Sequence, residues 1–200
     1  MAKGMMSIAM FRDSINKSAQ ILQQVNVDLF YSLFSDDPNA IEDVIGSFVS
    51  ITAVQIALTD ILHELGITPD GVLGHSLGEL GAAYADGVLT HEQTLINGYW
   101  RGKCLNDDSS RPRGLMAAVG LSWEEAQKRC PPGIYAACHN AGDSVTIAST
   151  EKEVITFVEQ LKAENVFARI VKSSGIAPHC VLMNHIAPEL LKKLQQVIHV

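Results

Sequence analysis

The pentapeptide Gly74-His75-Ser76-Leu77-Gly78 is the tightest constraint on what this chain can fold into. It joins a short apolar run, Gly71-Val72-Leu73-Gly74, to a small-residue segment running from Leu77 to Ala85. The first reads as a strand and the second as a helix, so the corner between them must be sharp. Gly-x-Ser-x-Gly at such a corner is a nucleophile elbow. The serine takes a strained backbone conformation that projects its hydroxyl, and the glycines let neighbouring chain approach without a Cβ clash. The helix start behind it presents oriented backbone N–H groups, and that of Leu77 can stabilise an oxyanion. Ser76 is therefore the candidate nucleophile. The plain alternative is a Gly-rich turn carrying an inert serine.

A serine hydroxyl needs a base. The seven histidines are His63, His75, His91, His139, His179, His185 and His199. His75 adjoins Ser76, but adjacent residues at a sharp turn point in different directions. His63, His91 and His199 fall on helical segments and read as surface or cap residues. His179 follows Ser173-Ser174-Gly175-Ile176-Ala177-Pro178, a Gly- and Pro-containing loop after a strand. Loops on rigid scaffolds often carry chemistry, so His179 stands out, though spacing alone leaves the base open.

The remaining segments read as mixed α/β. Ile8 to Phe34 suggests one or two helices, followed by a polar break at residues 35–39. Ile51, Val54, Leu58, Ile61, Leu62 and Leu65 recur at helical spacing, with Gly66 at the C-cap. Capping boxes are expected at Thr90…Gln93, Ser122…Glu125 and Thr150…Glu153. Strands are expected over Leu115–Gly120, Ile134–Cys138, Ser144–Ala148 and Phe167–Val171. With the capped helices between them, the order is strand, helix, strand, strand, helix, strand, the ferredoxin-like pattern. A last helix is expected between Asn184 and Val200, starting near Pro188.

Composition removes several function classes. The net charge is −7 with no run of Lys or Arg, which argues against a nucleic-acid groove or an anionic membrane surface. No uninterrupted stretch of eighteen apolar residues occurs, which argues against a spanning helix. The start does not read as a signal peptide, since Arg12 and Asp13 break the apolar run. Cys104, Cys130, Cys138 and Cys180 form no Cys-x-x-Cys pair, and no His-Glu-x-x-His occurs. No metal site is expected, and the cysteines read mostly as small buried hydrophobes in a reducing, cytoplasmic setting.

Several separated motifs then converge. Gly74-His75-Ser76-Leu77-Gly78-Glu79, Tyr84-Ala85-Asp86-Gly87 and Tyr99-Trp100-Arg101-Gly102 resemble the malonyl/acetyltransferase domain of animal-type fatty acid synthase. Met116-Ala117-Ala118-Val119-Gly120-Leu121-Ser122-Trp123, Cys130-Pro131-Pro132-Gly133 and Ala137-Cys138-His139-Asn140 agree with it, and acyltransferases of polyketide synthases share the pattern more loosely. The resemblance implies an α/β-hydrolase-like large subdomain with an inserted ferredoxin-like small subdomain. Residues 1–113 would be part of the large subdomain, 114–171 the small one, and 172–200 the return to the large one. It implies Ser76 as nucleophile, His179 as base and Leu77 as oxyanion donor. Arg101 would bind the free carboxylate of malonyl-CoA, with Met116, His75 and Pro178 completing the substrate-binding set. The bland reading of Arg101 is a helical surface cation paired with Asp107 or Asp108.

The resemblance further implies coenzyme A thioesters (malonyl-CoA and acetyl-CoA) as substrates and no permanently bound cofactor. Phosphopantetheine on an acyl carrier protein would be the acceptor. The parent would be a cytoplasmic, multidomain, dimeric synthase. The family's Gly-x-Gly-x-Gln oxyanion loop would lie ahead of Met1 and further chain beyond Val200, so the 200 residues alone are expected to be a weak catalyst. Pro178 and Cys180 replace the family's usual aromatic and serine around the histidine. Two other readings stand beside this one. A serine hydrolase or thioesterase would draw its acid from Asp143 or Glu159, between Ser76 and His179, although the small-subdomain insertion and the Trp100-Arg101 helix are not hydrolase features. A truncated, non-catalytic synthase segment is the other.

Overall fold

Helical spacing of apolar residues, cap chemistry and strand alternation are realised in a computed structural model. It describes residues 2–37, 40, 43–107, 112–171 and 173–198. The described residues form two compact units. One comprises Met1–Asp107 with Pro188–Val200, the other Asp108–Ala187.

The first unit is helical. Its elements are α1 (Ala2–Met5), α2 (Ala9–Gln23), α3 (Leu29–Phe34), α4 (Val44–Glu64), α5 (Gly78–Ala85), α6 (His91–Asp107) and α9 (Ala187–Val197). Asp43 starts α4 by accepting from the Ile45 and Gly46 N–H groups. At its other end, Ile67 N–H donates to Leu62 O and Gly66 N–H to His63 O, both at 2.9 Å, the Schellman pattern. Val49, Ala53, Ile56 and Ala57 are fully buried on one stripe of α4, against Phe11, Ile15 and Leu22 of α2 and Leu95 of α6. By length and composition α4 is apolar enough to cross a membrane. The expectation that no such segment exists counted uninterrupted apolar residues only. The packed stripe identifies α4 as the core helix of this unit.

Helix α6 lies close against α4. A Cβ on Gly98 would come within 2.7 Å of Thr52 Oγ1, and one on Gly102 within 3.0 Å of Ile45 Cα. A larger residue at either contact would have to push α6 or its neighbours aside. Thr90 and Gln93 form the expected capping box ahead of α6. Helix α9 returns to this unit, with Lys193 Nζ 4.7 Å from the Trp100 ring centroid.

The second unit contains β1 (Gly114–Val119), α7 (Trp123–Arg129), β2 (Tyr135–Ala141), β3 (Ser144–Thr150), α8 (Glu151–Ala163) and β4 (Ala168–Val171). The sheet order is β2-β3-β1-β4 and every pairing is antiparallel. This is the ferredoxin-like arrangement expected from the order of elements. Alternation decides the faces. Ala117, Val119, Val145, Ile147 and Ala168 are buried against Ala126 of α7 and Val154, Phe157, Val158 and Leu161 of α8. Met116 and Ala118 face the other way and are half-buried.

Three local expectations are corrected. Residues 71–74 form no strand: Leu73 is 93% exposed, and the first unit offers no strand to pair with among the described residues. An apolar run becomes a strand only where its backbone finds a partner. At Ser122 the capping box is complete, whereas Thr150 accepts no cap hydrogen bond. There Glu153 Oε2 receives both Ser149 Oγ at 2.5 Å and Thr150 Oγ1 at 2.6 Å, which turns the threonine hydroxyl into a donor. Finally, the four thiols are free, but Cys104 is buried while Cys130, Cys138 and Cys180 are half-exposed. The half-exposed three lie on a helix end, a bulged edge strand and a loop.

Candidate active site

The elbow is built by contact as well as by conformation. A Cβ on Gly74 would lie 2.3 Å from the Glu79 backbone nitrogen and 2.4 Å from the Gly78 carbonyl carbon. At Gly74 the chain therefore meets the first turn of α5 with no room for a side chain. Ser76 takes φ +55, a conformation costing roughly 1–2 kcal/mol for a residue with a Cβ. Asn26 and Asn165, also at positive φ, sit just beyond the ends of α2 and α8, where asparagine is tolerated. Ser76 has no such excuse of residue type. The overwound turn commits Gly78 N–H to His75 O, Glu79 N–H to Ser76 O and Leu80 N–H to Leu77 O, at 2.9–3.1 Å. The Leu77 N–H donates to no carbonyl among the described residues. It stands at the positive end of α5, free for an incoming oxyanion. His75 and Ser76 are both exposed.

Arg101 is half-buried on α6. Its Nε donates to Asn97 Oδ1 one turn earlier, at 2.9 Å. Burial pushes its pKa down, yet a guanidinium stays cationic. Among the described residues no carboxylate pairs with it. The suggested Asp107 partner pairs instead with Lys103 at 2.8 Å, and Asp108 lies outside the described residues. A half-buried cation held by a neutral amide is a ready carboxylate receptor.

In the second unit, the loop after β4 is tied down from within. Ile176 N–H donates to Ser173 O and Gly114 N–H to Gly175 O, each at 2.9 Å, while the Cys180 thiol donates to Ala177 O at 3.1 Å. Ile176 and Ala177 are buried, Pro178 is half-buried, and His179 is exposed at φ +62. Ser174 and Gly175 also have left-handed φ. Of these, Ser174 and His179 are not glycine, and such strained non-glycine residues cluster at functional loops. Met116 stands on the face of β1 opposite the core, in register with Ala148 and Val171. It is not a core strand residue.

The other histidines separate by environment. His91 corrects the surface-or-cap reading. It is 6% exposed, with its Nε2 2.8 Å from Ser18 Oγ. Burial pushes its pKa down to about 4, Lys17 acting in the same direction and Asp60 against it. His63 is exposed on α4. His139 stacks on Trp123 with centroids 5.5 Å apart. His185 lies in the loop before α9, and His199 lies outside the described residues. Asp143 occupies the β2–β3 turn and Glu159 is exposed on α8.

A family model for acyl transferase domains matches residues 1–200. The chain belongs to the acyl transferase domain family. This acyltransferase is 40% identical over 147 residues to a highly reducing polyketide synthase of Pyrenophora dematioidea, covering 72% of the chain but 6% of that protein. Among solved structures, a loading acyltransferase from the avermectin modular polyketide synthase superposes with a TM-score of 0.87 at 22% identity. It covers 98% of this chain and 64% of that one. A malonyl CoA-acyl carrier protein transacylase from Clostridium perfringens superposes with a TM-score of 0.84 at 21% identity, covering 100% and 65%. The acyltransferase thus spans a small part of its curated relative and just under two thirds of these two structures. The mixed α/β class expected from the sequence is the fold of these structures.

Proposed function

We propose that this acyltransferase moves a malonyl or acetyl group from coenzyme A to an acyl carrier protein through an ester on Ser76. The observation that carries the reading is the elbow itself: a serine at φ +55, exposed, beside an uncommitted Leu77 N–H. Ser76 Oγ attacks the thioester carbonyl while His179 accepts its proton. The carbonyl oxygen becomes an oxyanion facing Leu77 N–H. The C–S bond breaks, and coenzyme A leaves with the proton returned by His179. The carrier's phosphopantetheine thiol then gives its proton to His179 and attacks the seryl ester, and Ser76 leaves reprotonated.

Arg101 supplies the selection for malonyl, because its fork matches a free carboxylate that acetyl lacks. Met116, His75 and Pro178 complete the acyl-binding set. Among parent proteins we favour a reducing polyketide synthase, since the 40% identical relative is one. An animal-type fatty acid synthase, which the motifs resemble, is the second choice. In either parent the domain would work in the cytoplasm, within a dimeric, multidomain chain.

Intact-protein mass after brief incubation with malonyl-CoA tests the reading. One malonyl added to the parent and none to Ser76→Ala is the expected result. An equal adduct on both proteins, or release of malonate to water as fast as transfer to a pantetheine thiol, would overturn it.

A further inference from the structure

A polar anchor at the far end of the elbow helix is unused by the chemistry above. Tyr84 lies in the last turn of α5, and its hydroxyl donates to Asp60 Oδ1 at 2.5 Å. Asp60 Oδ2 accepts from Ser14 Oγ at 2.6 Å. One carboxylate on α4 thus holds hydroxyls from α2 and α5. Among the described residues no cation pairs with Asp60, so the two hydroxyls are its partners. Burial and then the Asp60 carboxylate raise the tyrosine pKa, so Tyr84 stays protonated and remains a donor. Its ring meets His91 edge-on, with centroids 6.0 Å apart.

This anchor matters because the rest of α5 grips weakly. Leu80 is the helix's single buried residue. Gly78 and Gly81 face Gln55 of α4, whose Oε1 is buried without a hydrogen-bond partner. Along this stretch the two glycines offer no side chain to grip Gln55, so the hydrogen bond from Tyr84 to Asp60 ties α5 to α4. The other end of α5 begins two residues after Ser76. A rigid two-turn helix transmits displacement at Tyr84 directly to the elbow.

Resting on the acyl-transfer reading, we infer that Asp60 and Tyr84 are positioning residues that fix the Ser76 elbow through α5. Tyr84→Phe removes one oxygen and keeps the ring. In the 200-residue chain it should slow acylation of Ser76 by malonyl-CoA about tenfold or more, with little change in KM. Asp60→Asn retains an acceptor oxygen and should preserve most of the rate. Tyr31→Phe is the matched control, since Tyr31 also donates to a carboxylate, Asp37, at 2.8 Å, but on α3. It should acylate like the parent.

Amide hydrogen exchange at Gly78 to Leu80, whose N–H groups are hydrogen-bonded in the elbow, gives a readout independent of turnover, and Tyr84→Phe should accelerate it relative to Tyr31→Phe. Parental exchange in Tyr84→Phe overturns the anchor whether or not any protein acylates. So does a rate loss that Tyr31→Phe reproduces. A parent that shows no Ser76 adduct while exchange responds as expected refutes the acyl-transfer reading and leaves the anchor standing.

Discussion

Replacing Gly74 by alanine tests the elbow at its least forgiving point. The added methyl would sit 2.3 Å from Glu79 N, 2.4 Å from Gly78 C and 2.5 Å from Glu79 Cα. All three are main-chain atoms, so no side chain can swing aside. Ordinary contact begins near 3.4 Å. The chain at Gly74 and the first turn of α5 must therefore separate by about 1 Å. That shift falls on Ser76 and Leu77, between the two clashing segments. A misplacement of about 1 Å costs on the order of 10²-fold in rate when a nucleophile must meet its target in line. Acyl-enzyme formation from malonyl-CoA, followed by intact mass on a stopped-flow timescale, should slow by about that factor. Circular dichroism at the same temperature reports whether the helices survive. Gly71→Ala is the companion, because a Cβ there meets nothing within 4 Å and the residue needs no left-handed φ. It should react like the parent. If Gly74→Ala acylates within about threefold of the parent, with unchanged melting, the steric argument for this elbow is wrong.

Two further outcomes are expected. Arg101→Ala should lower kcat/KM for malonyl-CoA by roughly 10–100-fold, the worth of charge-assisted hydrogen bonds, and leave acetyl-CoA nearly unaffected; equal losses in competition assays would remove the carboxylate role. His91 is held neutral in the fold, with its pKa down to about 4 against an ordinary 6.5. The unfolded chain therefore binds the extra proton first. Stability contributed by His91 is complete above about pH 6.5 and is lost as pH falls toward about 4. Thermal melts of the parent across that window should decline more steeply than those of His91→Gln, and parallel curves would contradict the burial argument.

Legibility in the sequence followed the range of the forces involved. The second unit was readable nearly element by element. Its strands alternate, as in Ala117 and Val119 against Met116 and Ala118, and Ser122 with Glu125 closes a box within three residues. The bends at Ala136/Cys138 and His139/Ala141 in β2 were not, because a bulge answers to the partner strand. In the first unit, the elbow's strained serine was foreseeable from Gly74 and Gly78, whose role is local. Whether residues 71–74 become a strand depends on distant chain, and apolarity alone misled there. Long-range polar pairing was also invisible. Ser18 meets His91 across 73 residues, and Ser14 meets Asp60 across 46. The one available signal was Asp60 itself, an acid within an apolar helical stripe that had to find donors somewhere.

The hydrogen bond from Gly114 to Gly175 closes the ferredoxin-like unit at its own doorway. The stretch that makes the sheet therefore begins and ends at nearly one point. The helical unit, by contrast, is written in two instalments, with Pro188–Val200 arriving after the sheet has been made. On the ribosome the second unit can therefore finish folding before residues 188–200 of the first unit have been made. Exchanging the stretch between these two glycines for that of another acyltransferase becomes a single-cassette operation that leaves residues 74–78 of the elbow unchanged.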